Sequence, residues 1–395
     1  MYVVRHQASM QQPANHSSSD SRLDQRLPIP SEDLTRQHHE IEDEILVAVR
    51  RTLASGKYTM GPELAAFEDE WAGACEVGRA IGTSSGTSAL MLAYAALGVG
   101  PGDEVIVPSM TYVATAFAAS YLGATVVFVD VESDTFTIDP AEVSRAVTPR
   151  TKVVVPVHLY GQPANMAALD ELAREHGFSI VEDAAQAHLA RFEGRRVGGL
   201  ADIGCFSFYP HKNLGAYGDG GAVTTNDPAL AEQLRILRYM GQRTKHVHEQ
   251  IGHQERLDEL QAAILRVRLH HLERWTERRQ AWAALYDELL SESPASTPIV
   301  RPDREHVYYM YAVITPRRDE LMGFLGDRGI GSQVIYPTAV PDQPAYANGG
   351  APSRTVSADR ARAIASDVLC LPVFPELTEQ EVRTVGSAVH DFYRR

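Results

Sequence analysis

Short apolar runs alternate with amphipathic helical patterns through the first half of the chain. The runs at 104–108, 125–129 and 152–157 carry few polar positions, unlike a strand with one face in water. Strands that are buried on both faces and separated by helices are typical of a mostly parallel sheet with helices on each side. The pattern therefore predicts an α/β fold whose ligands bind at the carboxyl ends of the strands.

The same reasoning places further elements around these runs. Additional strands are predicted at 79–82, 178–181 and 203–208. Helices are predicted at 31–55, 62–74, 89–97, 111–122, 165–176 and 228–238. The polar stretch 240–254 has no periodic apolar pattern, so we predict a mobile loop there.

The pattern changes after residue 255. A long amphipathic helix or helix pair is predicted at 256–290, followed by a proline-containing linker at 291–302. Beyond it, strands are predicted at 307–315, 332–336 and 368–371, and helices at 318–328, 358–367 and 378–393. The first residues are polar with little apolar content. We therefore predict a disordered leader at 1–26, a large α/β domain at 27–255, and a long helix with a smaller α+β domain at 256–395.

Composition narrows the class of protein. The 395 residues are 44% hydrophobic with a formal net charge of -14, which argues against a general surface for nucleic acid or anionic membranes. Three cysteines without paired spacing fit a reducing cytoplasm and no zinc site. No apolar run approaches the length of a membrane span, and the start lacks the apolar region of a secretory signal. Neighbouring histidines lack the spacing that puts two ligands on one helix face, so no metal is predicted.

Two residues that follow separate apolar strands indicate the chemistry. Asp183 follows the strand at 178–181, and Lys212 follows the strand at 203–208 in a loop of Gly, Pro and Asn. A lysine amine can form a Schiff base with pyridoxal phosphate (PLP), and a carboxylate beneath the ring nitrogen keeps that nitrogen protonated. The pair therefore predicts a PLP site. An ordinary surface lysine and an aspartate that caps a helix are the alternatives.

Small polar residues and glycine occupy positions 83–88, before the predicted helix 89–97. Gly86, Thr87 and Ser88 would leave backbone N–H groups free at the helix N-terminus, where an anion binds. Such clusters cap many helices that bind no ligand. This one gains meaning because PLP brings a phosphate that must be held.

Longer motifs surround these residues. They read E-D-A-A-Q-A-H at 182–188 and F-S-F-Y-P-H-K-N-L-G-A-Y-G-D-G-G-A at 206–222. Others read G-K-Y-T-M-G-P-E at 56–63, G-T-S-A-L at 86–90 and R-L-D-E-L-Q-A at 256–262. Together they resemble the DegT/DnrJ/EryC1/StrS family of PLP-dependent sugar aminotransferases. The resemblance runs from about residue 27 to the C-terminus and implies the fold type I PLP-dependent transferase fold, which is aspartate aminotransferase-like.

The resemblance implies roles for individual residues. Lys212 is the implied catalytic residue and binds the cofactor covalently. Asp183 would pair with the pyridine nitrogen, Gln186 with the phenolic oxygen, and Tyr112 would stack on the ring. The complete set of implied cofactor-binding residues is Gly86, Thr87, Ser88, Tyr112, Asp183, Gln186, Ser207, Lys212 and Gln254.

The family works as a homodimer with the active site at the subunit interface, where an asparagine reaches the partner's phosphate. Gln254 stands at that position here, so the amide is kept on a longer arm. Ser88 replaces a usual Asp, and His211 adds a titratable group beside the lysine. The stretch 335–344 lacks two histidines that shape the substrate side in relatives. Candidate substrate contacts, with solvated or core roles as the alternative, are Tyr217, Arg256 and Tyr336.

These features predict an aminotransferase of amino-sugar or antibiotic biosynthesis. It would move an amino group from glutamate, or glutamine, to a nucleotide-linked 3-keto-6-deoxyhexose. The motif G-A-Y-G-D-G-G at 215–221 is closer to family members that aminate C3 than to the T-x-G-E-G-G of C4 enzymes. Three alternatives remain: amination at C4, a sugar dehydratase of the same family, and a non-catalytic PLP-binding regulator. A dehydratase would have His in place of Lys212.

Overall fold

A computed structural model describes residues 28–395 of the protein, so the predicted leader at 1–26 lies outside the described residues. The strands are β1 (Arg79–Thr83), β2 (Glu104–Pro108), β3 (Thr125–Val129), β4 (Thr151–Val154), β5 (Ser179–Asp183), β6 (Arg191–Phe192), β7 (Arg195–Arg196), β8 (Ile203–Ser207), β9 (Gly221–Thr225), β10 (Gln242–Thr244), β11 (Val247–His248), β12 (Arg304–Glu305), β13 (Tyr311–Ile314), β14 (Ser353–Thr355) and β15 (Val368–Leu371).

Helices precede, connect and follow these strands. They are α1 (Leu34–Ser55), α2 (Pro62–Ala74), α3 (Gly86–Ala96), α4 (Ala114–Tyr121), α5 (Pro140–Ala146), α6 (Met166–His176), α7 (Pro228–Arg238), α8 (Glu259–Leu269), α9 (Leu272–Leu290), α10 (Arg318–Gly326), α11 (Pro344–Ala347), α12 (Asp359–Asp367) and α13 (Glu379–Tyr393). Within residues 28–395, none of them is long and apolar enough to cross a membrane.

One large sheet organises the molecule. Its strands lie in the order β1-β9-β8-β5-β4-β2-β3-β14. Strand β9 is antiparallel to both of its neighbours, and the other strands share one direction. Helices α3, α4, α5 and α6 connect the parallel strands from β1 to β5, as the predicted α/β class requires, whereas β6 and β7 lie between β5 and β8.

Both faces of this sheet are covered. In β2, Val105 and Val107 pack in one core with α3 and α4, whereas Ile106 packs in another core with α5 and α6. Successive side chains of a strand point to opposite faces, so a strand between two helix layers needs apolar residues at every position. This requirement explains the uninterrupted apolar runs in the sequence.

A second, smaller core lies in the C-terminal part of the chain. Strand β13 pairs antiparallel with β15, and α9, α10 and α13 pack on that pair. The packing crosses the predicted domain boundary at residue 255 in several places. Ile29 joins this C-terminal core, and β14 extends the edge of the large sheet beside β3. The domain division stays a prediction.

Several local expectations are corrected. The predicted strand at 332–336 is wrong, since it forms only an isolated bridge between Gln333 and Cys370. The predicted loop at 240–254 contains the hairpin β10–β11, whose mostly polar residues give no apolar alternation. The patterns also miss β9, β14 and α5. The last two are short elements, and β14 is set by its pairing at the sheet edge.

Candidate active site

A cavity of about 470 Å³ opens at the carboxyl ends of β5 and β8. The two strands are parallel neighbours, so the residues that follow them lie side by side. We call this space the Lys212 cavity. The predicted site residues that line it are Gly86, Thr87, Tyr112, Asp183, Gln186, Ser207, Lys212 and Tyr336. Strand-end geometry alone therefore brings most of the predicted site together.

Asp183 is held as a buried carboxylate. The hydroxyl of Thr115 donates to its Oδ2 at 2.7 Å, and the N–H of Ala185 donates to its Oδ1 at 3.2 Å. Burial raises the pKa of Asp183, while these two donors and the nearby charge of Lys212 act in the opposite direction. A cationic partner in the cavity would therefore stabilise the charged form of Asp183.

Lys212 is a half-buried residue of the loop after β8, and it lines the Lys212 cavity. Its Nζ lies 4.3 Å from the centroid of the Tyr309 ring. Burial lowers the pKa of Lys212 to about 8, and the charge of Asp183 partly opposes this shift. The loop closes tightly because Gly215 passes against Pro210, where an added Cβ would lie 2.2 Å from the Pro210 carbonyl oxygen.

The amide of Gln186 is fixed on both sides. Its Oε1 accepts from the N–H of Tyr160 at 2.7 Å, and its Nε2 donates to the hydroxyl of Tyr336 at 3.0 Å. The Tyr336 ring lies 5.9 Å, centroid to centroid, from the ring of Tyr112. Tyr112 precedes α4, although the sequence places it in the first helical turn. These contacts build one wall of the Lys212 cavity.

The N-terminus of α3 forms another wall. Ser85 is its N-cap, and the Ser85 hydroxyl accepts from the N–H of Ser88 at 3.1 Å. The first N–H groups of a helix have no partner within the helix, so those of Gly86 and Thr87 are available to an anion. Gly86 packs so closely on Ser207 that an added Cβ would lie 2.6 Å from the Ser207 Cβ. The sequence therefore needs glycine at this position.

Ser88 and Gln254 do not line the Lys212 cavity. The Ser88 hydroxyl donates to Oε2 of Glu255 at 2.5 Å, which commits its single proton away from the cavity. Gln254 is exposed on the segment after the β10–β11 hairpin. The predicted contacts of both residues with a phosphate stay predictions.

Two candidate substrate contacts also lie elsewhere. The guanidinium of Arg256 stands over the Tyr239 ring, 5.3 Å from its centroid. The Tyr217 hydroxyl lies 2.8 Å from Nδ1 of His38, beside a separate cavity that Arg268 also lines. Of the three candidate substrate contacts, Tyr336 is the one that faces the Lys212 cavity.

His211 is turned away from the amine that it precedes. Its Nδ1 lies 2.5 Å from Oε2 of Glu32, and its ring stacks on Tyr209 at 5.6 Å between centroids. It is not among the residues that line the Lys212 cavity. The expectation that it lies directly against the cofactor bond therefore finds no support in this geometry.

Sequence reasoning missed several residues around the site, and two of them contact Asp183 or Lys212. Thr115 lies in α4, and its hydroxyl also contacts that of Thr111, which precedes the helix. No motif marked the Thr115 hydroxyl as a partner of Asp183. Tyr309, whose ring contacts the Lys212 amine, lies in the C-terminal part of the chain, about a hundred positions after Lys212. Across residues 28–395, no group of three or more His, Cys, Asp or Glu side chains could hold a metal ion.

Comparisons with known proteins identify the family of the chain. The DegT/DnrJ/EryC1/StrS aminotransferase family model matches residues 39–390. A dTDP-3-amino-3,4,6-trideoxy-alpha-D-glucose transaminase of Streptomyces venezuelae is 50% identical over 368 residues, covering 93% of this chain and 97% of its own. A pleiotropic regulatory protein of Geobacillus stearothermophilus is 42% identical over 371 residues, covering 93% of this chain and 99% of its own.

A solved structure gives the same answer for the fold. S. venezuelae DesV, in complex with a ketimine intermediate, superimposes with a TM-score of 0.91 at 49% identity, covering 94% of this chain and 100% of its own. The predicted fold type I class is confirmed. The cofactor prediction is confirmed as well, since solved structures with this fold include one with bound PMP, the aminated form of PLP. The chain belongs to the DegT/DnrJ/EryC1/StrS aminotransferase family.

Proposed function

We propose that this protein transfers the amino group of glutamate to C3 of a nucleotide-linked 3-keto-6-deoxyhexose, with PLP as its cofactor. One observation carries the proposal. The amine of Lys212 and the carboxylate of Asp183 enter the same cavity, beside the N-terminus of α3. An amine, an acid and an anion cradle are the three groups that PLP needs from a protein.

The residues of the Lys212 cavity fit PLP. The N–H groups of Gly86 and Thr87 and the hydroxyl of Ser207 would hold the phosphate. Asp183 would hold the ring nitrogen, and a cation there would offset the cost of burying this carboxylate. When bound, PLP withdraws electrons from the carbon that carries the amino group.

Lys212 would move the proton in both halves of the reaction. Its Nζ would accept a proton from Cα of the amino donor and later deliver one to C3 of the acceptor sugar. Because burial lowers the pKa of Lys212 to about 8, more of this amine is neutral near pH 7 than in an exposed lysine. The Tyr309 ring beside Nζ limits where the amine can move.

The choice of acceptor rests on likeness to relatives. The Streptomyces venezuelae transaminase that is 50% identical is named for a dTDP-linked sugar with the amino group at C3. The residues after Lys212 read G-A-Y-G-D-G-G, the form that resembles C3 enzymes. Amination at C4 and the use of glutamine as donor are the nearest alternatives.

The proposal includes a cytoplasmic homodimer whose subunits complete each other's sites. Gln254 would reach the phosphate in the partner. Large apolar side chains of the adjoining stretch 240–251 are exposed in the single chain: Ile251 by 93%, Val247 by 55% and Met240 by 44%. A second copy of the chain that covers this segment would bury them and place Gln254 at the interface.

The first test asks whether PLP binds at Lys212 and whether the bound form turns over. Borohydride reduction of the holoenzyme followed by peptide mapping is expected to place the label on Lys212. Glutamate alone is expected to convert the spectrum to that of the pyridoxamine form. Label on another lysine would overturn the site assignment. Binding without conversion by any amino donor would favour a PLP-binding regulator. This alternative is considered because the Geobacillus stearothermophilus relative is named a pleiotropic regulatory protein.

The second test identifies the acceptor. The pyridoxamine form is mixed with nucleotide-linked 3-keto and 4-keto sugars that share one nucleotide. Faster recovery of the PLP spectrum with the 3-keto sugar is expected. Preference for the 4-keto sugar would contradict the C3 assignment and leave the transaminase assignment intact. Release of water from a sugar without net amination would indicate a dehydratase.

A further inference from the structure

Glu255 is bound by two serine hydroxyls from the start of α3. Ser84 donates to its Oε2, and Ser88 donates to the same oxygen at 2.5 Å. The two hydroxyl oxygens lie 2.8 Å apart. Hydrogen bonds to a charged acceptor are stronger than those between neutral groups, so this cluster fixes the position of the Glu255 side chain.

The cluster joins two segments with different roles. Ser84 and Ser88 flank Gly86 and Thr87, the residues that would hold the phosphate in their own subunit. Glu255 directly follows Gln254, the residue that would reach the phosphate of the partner. One set of hydrogen bonds therefore connects the phosphate site of a subunit to the segment with which the same subunit would contact the phosphate of its partner.

The backbone conformation determines which side of the segment each of these two side chains faces. The segment lies extended beside the end of α7, with the N–H of Glu255 on the carbonyl of Arg238 at 3.0 Å and a bridge between Gln254 and Tyr239. Successive side chains of an extended segment point to opposite sides. With Glu255 turned inward to α3, Gln254 must point outward, and it is exposed.

We propose that Glu255, held by Ser84 and Ser88, is a positioning residue that aims Gln254 into the active site of the partner subunit. The inference rests on the proposed function, in which the homodimer shares its sites. It adds that the effect of Glu255 is exerted in the other subunit. Loss of the Glu255 contact would leave its own Lys212 cavity intact and loosen phosphate binding in the partner.

Hybrid dimers separate the two subunits. Two chains with different affinity tags are co-expressed, and Lys212→Ala in one chain ensures that only the other retains the cofactor covalently. In the trans hybrid, Glu255→Ala lies on the Lys212→Ala chain. In the cis hybrid, Glu255→Ala lies on the chain that keeps Lys212. The measurement is the dissociation constant of PLP from the single competent site, which does not depend on turnover.

The trans hybrid is expected to bind PLP about tenfold more weakly than a hybrid with Lys212→Ala alone, as loss of one hydrogen bond to an ionised group would give. The cis hybrid is expected to stay within about twofold. Glu255→Gln keeps an oxygen acceptor for the serines and is expected to restore most of the affinity. Glu249→Ala is the matched control, because Glu249 is an exposed glutamate that directly follows the β10–β11 hairpin and pairs with Arg243.

A second pair of variants tests the cluster by charge. Ser88→Asp would put a carboxylate against that of Glu255, and the repulsion is expected to weaken PLP binding in the trans arrangement. Adding Glu255→Gln to the same chain removes the repulsion and is expected to recover affinity.

The outcomes distinguish the inference from the function beneath it. Weaker binding in the cis hybrid alone would show that Glu255 serves its own cradle and would overturn the proposal. Equal binding in both hybrids would overturn it as well. If Gln254→Ala has no effect in either arrangement, the shared-site part of the proposed function fails. If the unmodified dimer places no PLP on Lys212, the proposed function itself fails.

Discussion

The Lys212 cavity and the segment 252–256 are built in different ways. The cavity gathers side chains from the ends of β5 and β8, from α3 and from the residues before α4. Within one chain, the buried carboxylate of Asp183 accepts from Thr115, and the half-buried Lys212 contacts the Tyr309 ring. The segment, in contrast, carries Gln254 on its exposed side and fixes only Glu255 inward.

A single chain therefore supplies the groups that act on the reacting carbon, whereas part of the phosphate site would come from a second chain. Groups that act on the reacting carbon must be rigid, and the large sheet makes them so. Groups that hold the far end of the cofactor can come from a surface that a second copy orders. If this division holds, substitutions inside the Lys212 cavity should reduce kcat, kcat/KM or PLP affinity more than substitutions outside it.

Removal of the Lys212 amine is the change with the largest expected effect. Lys212→Ala takes away the group that moves the proton, together with its contact with the Tyr309 ring, so kcat is expected to fall about 10³- to 10⁴-fold. Lys57→Ala, an exposed lysine before α2, is the control and is expected to leave kcat unchanged. Single-turnover conversion by glutamate measures both. Residual conversion by Lys212→Ala above one hundredth of the normal rate would contradict the assignment.

The pH dependence of the free amine follows from its burial. The pKa of Lys212 is lowered to about 8, so its neutral fraction in the cofactor-free protein rises about 50-fold between pH 6 and pH 8. Competitive acetylation followed by peptide mass spectrometry reads this fraction, with Lys57 as the internal reference. Because the charge of Asp183 raises the pKa of Lys212, Asp183→Asn is expected to move the midpoint to lower pH. A midpoint that moves upward would contradict the burial of the pair.

The hydroxyl of Thr115 is the next test of the cavity. Thr115→Val keeps the shape and removes the donor to Oδ2 of Asp183, so kcat/KM is expected to fall about tenfold. Thr115→Ser restores the hydroxyl and is expected to recover most of that loss. A role in packing alone predicts the reverse order, with Ser more harmful than Val. The pH profile of kcat adds a readout that packing would not move.

The sequence was sufficient for the parts of this site that depend on strand ends. Asp183 and Lys212 each follow an apolar strand, and parallel strands bring such residues to one edge. Gly86 is predictable from the run of small polar residues and glycine at 83–88, and the structure adds that α3 approaches Ser207 too closely for a side chain there. These features are local in sequence and are then brought together by a regular architecture.

The sequence was insufficient where a contact depends on distant or irregular segments. Tyr309 reaches Lys212 from the C-terminal part of the chain, and no periodicity encodes that distance. Strand β14 is three residues without an apolar pattern and exists because it pairs with β3. His211 precedes the lysine in sequence, yet the position of Glu32 decides which way its ring turns.

The smallest expected effect comes from a matched pair of tyrosines that the sequence could not tell apart. Tyr336→Phe removes the hydroxyl that fixes Gln186 at 3.0 Å, so PLP affinity is expected to fall about fivefold. Tyr217→Phe removes a hydroxyl that contacts His38 and Arg268 beside a separate cavity, and its effect on PLP affinity and kcat/KM is expected to stay within about twofold. Equilibrium dialysis of PLP and steady-state kinetics measure both variants. If Tyr217→Phe proves the more harmful change, the second cavity opens onto the substrate path, and the Lys212 cavity is not the whole of the site within one chain.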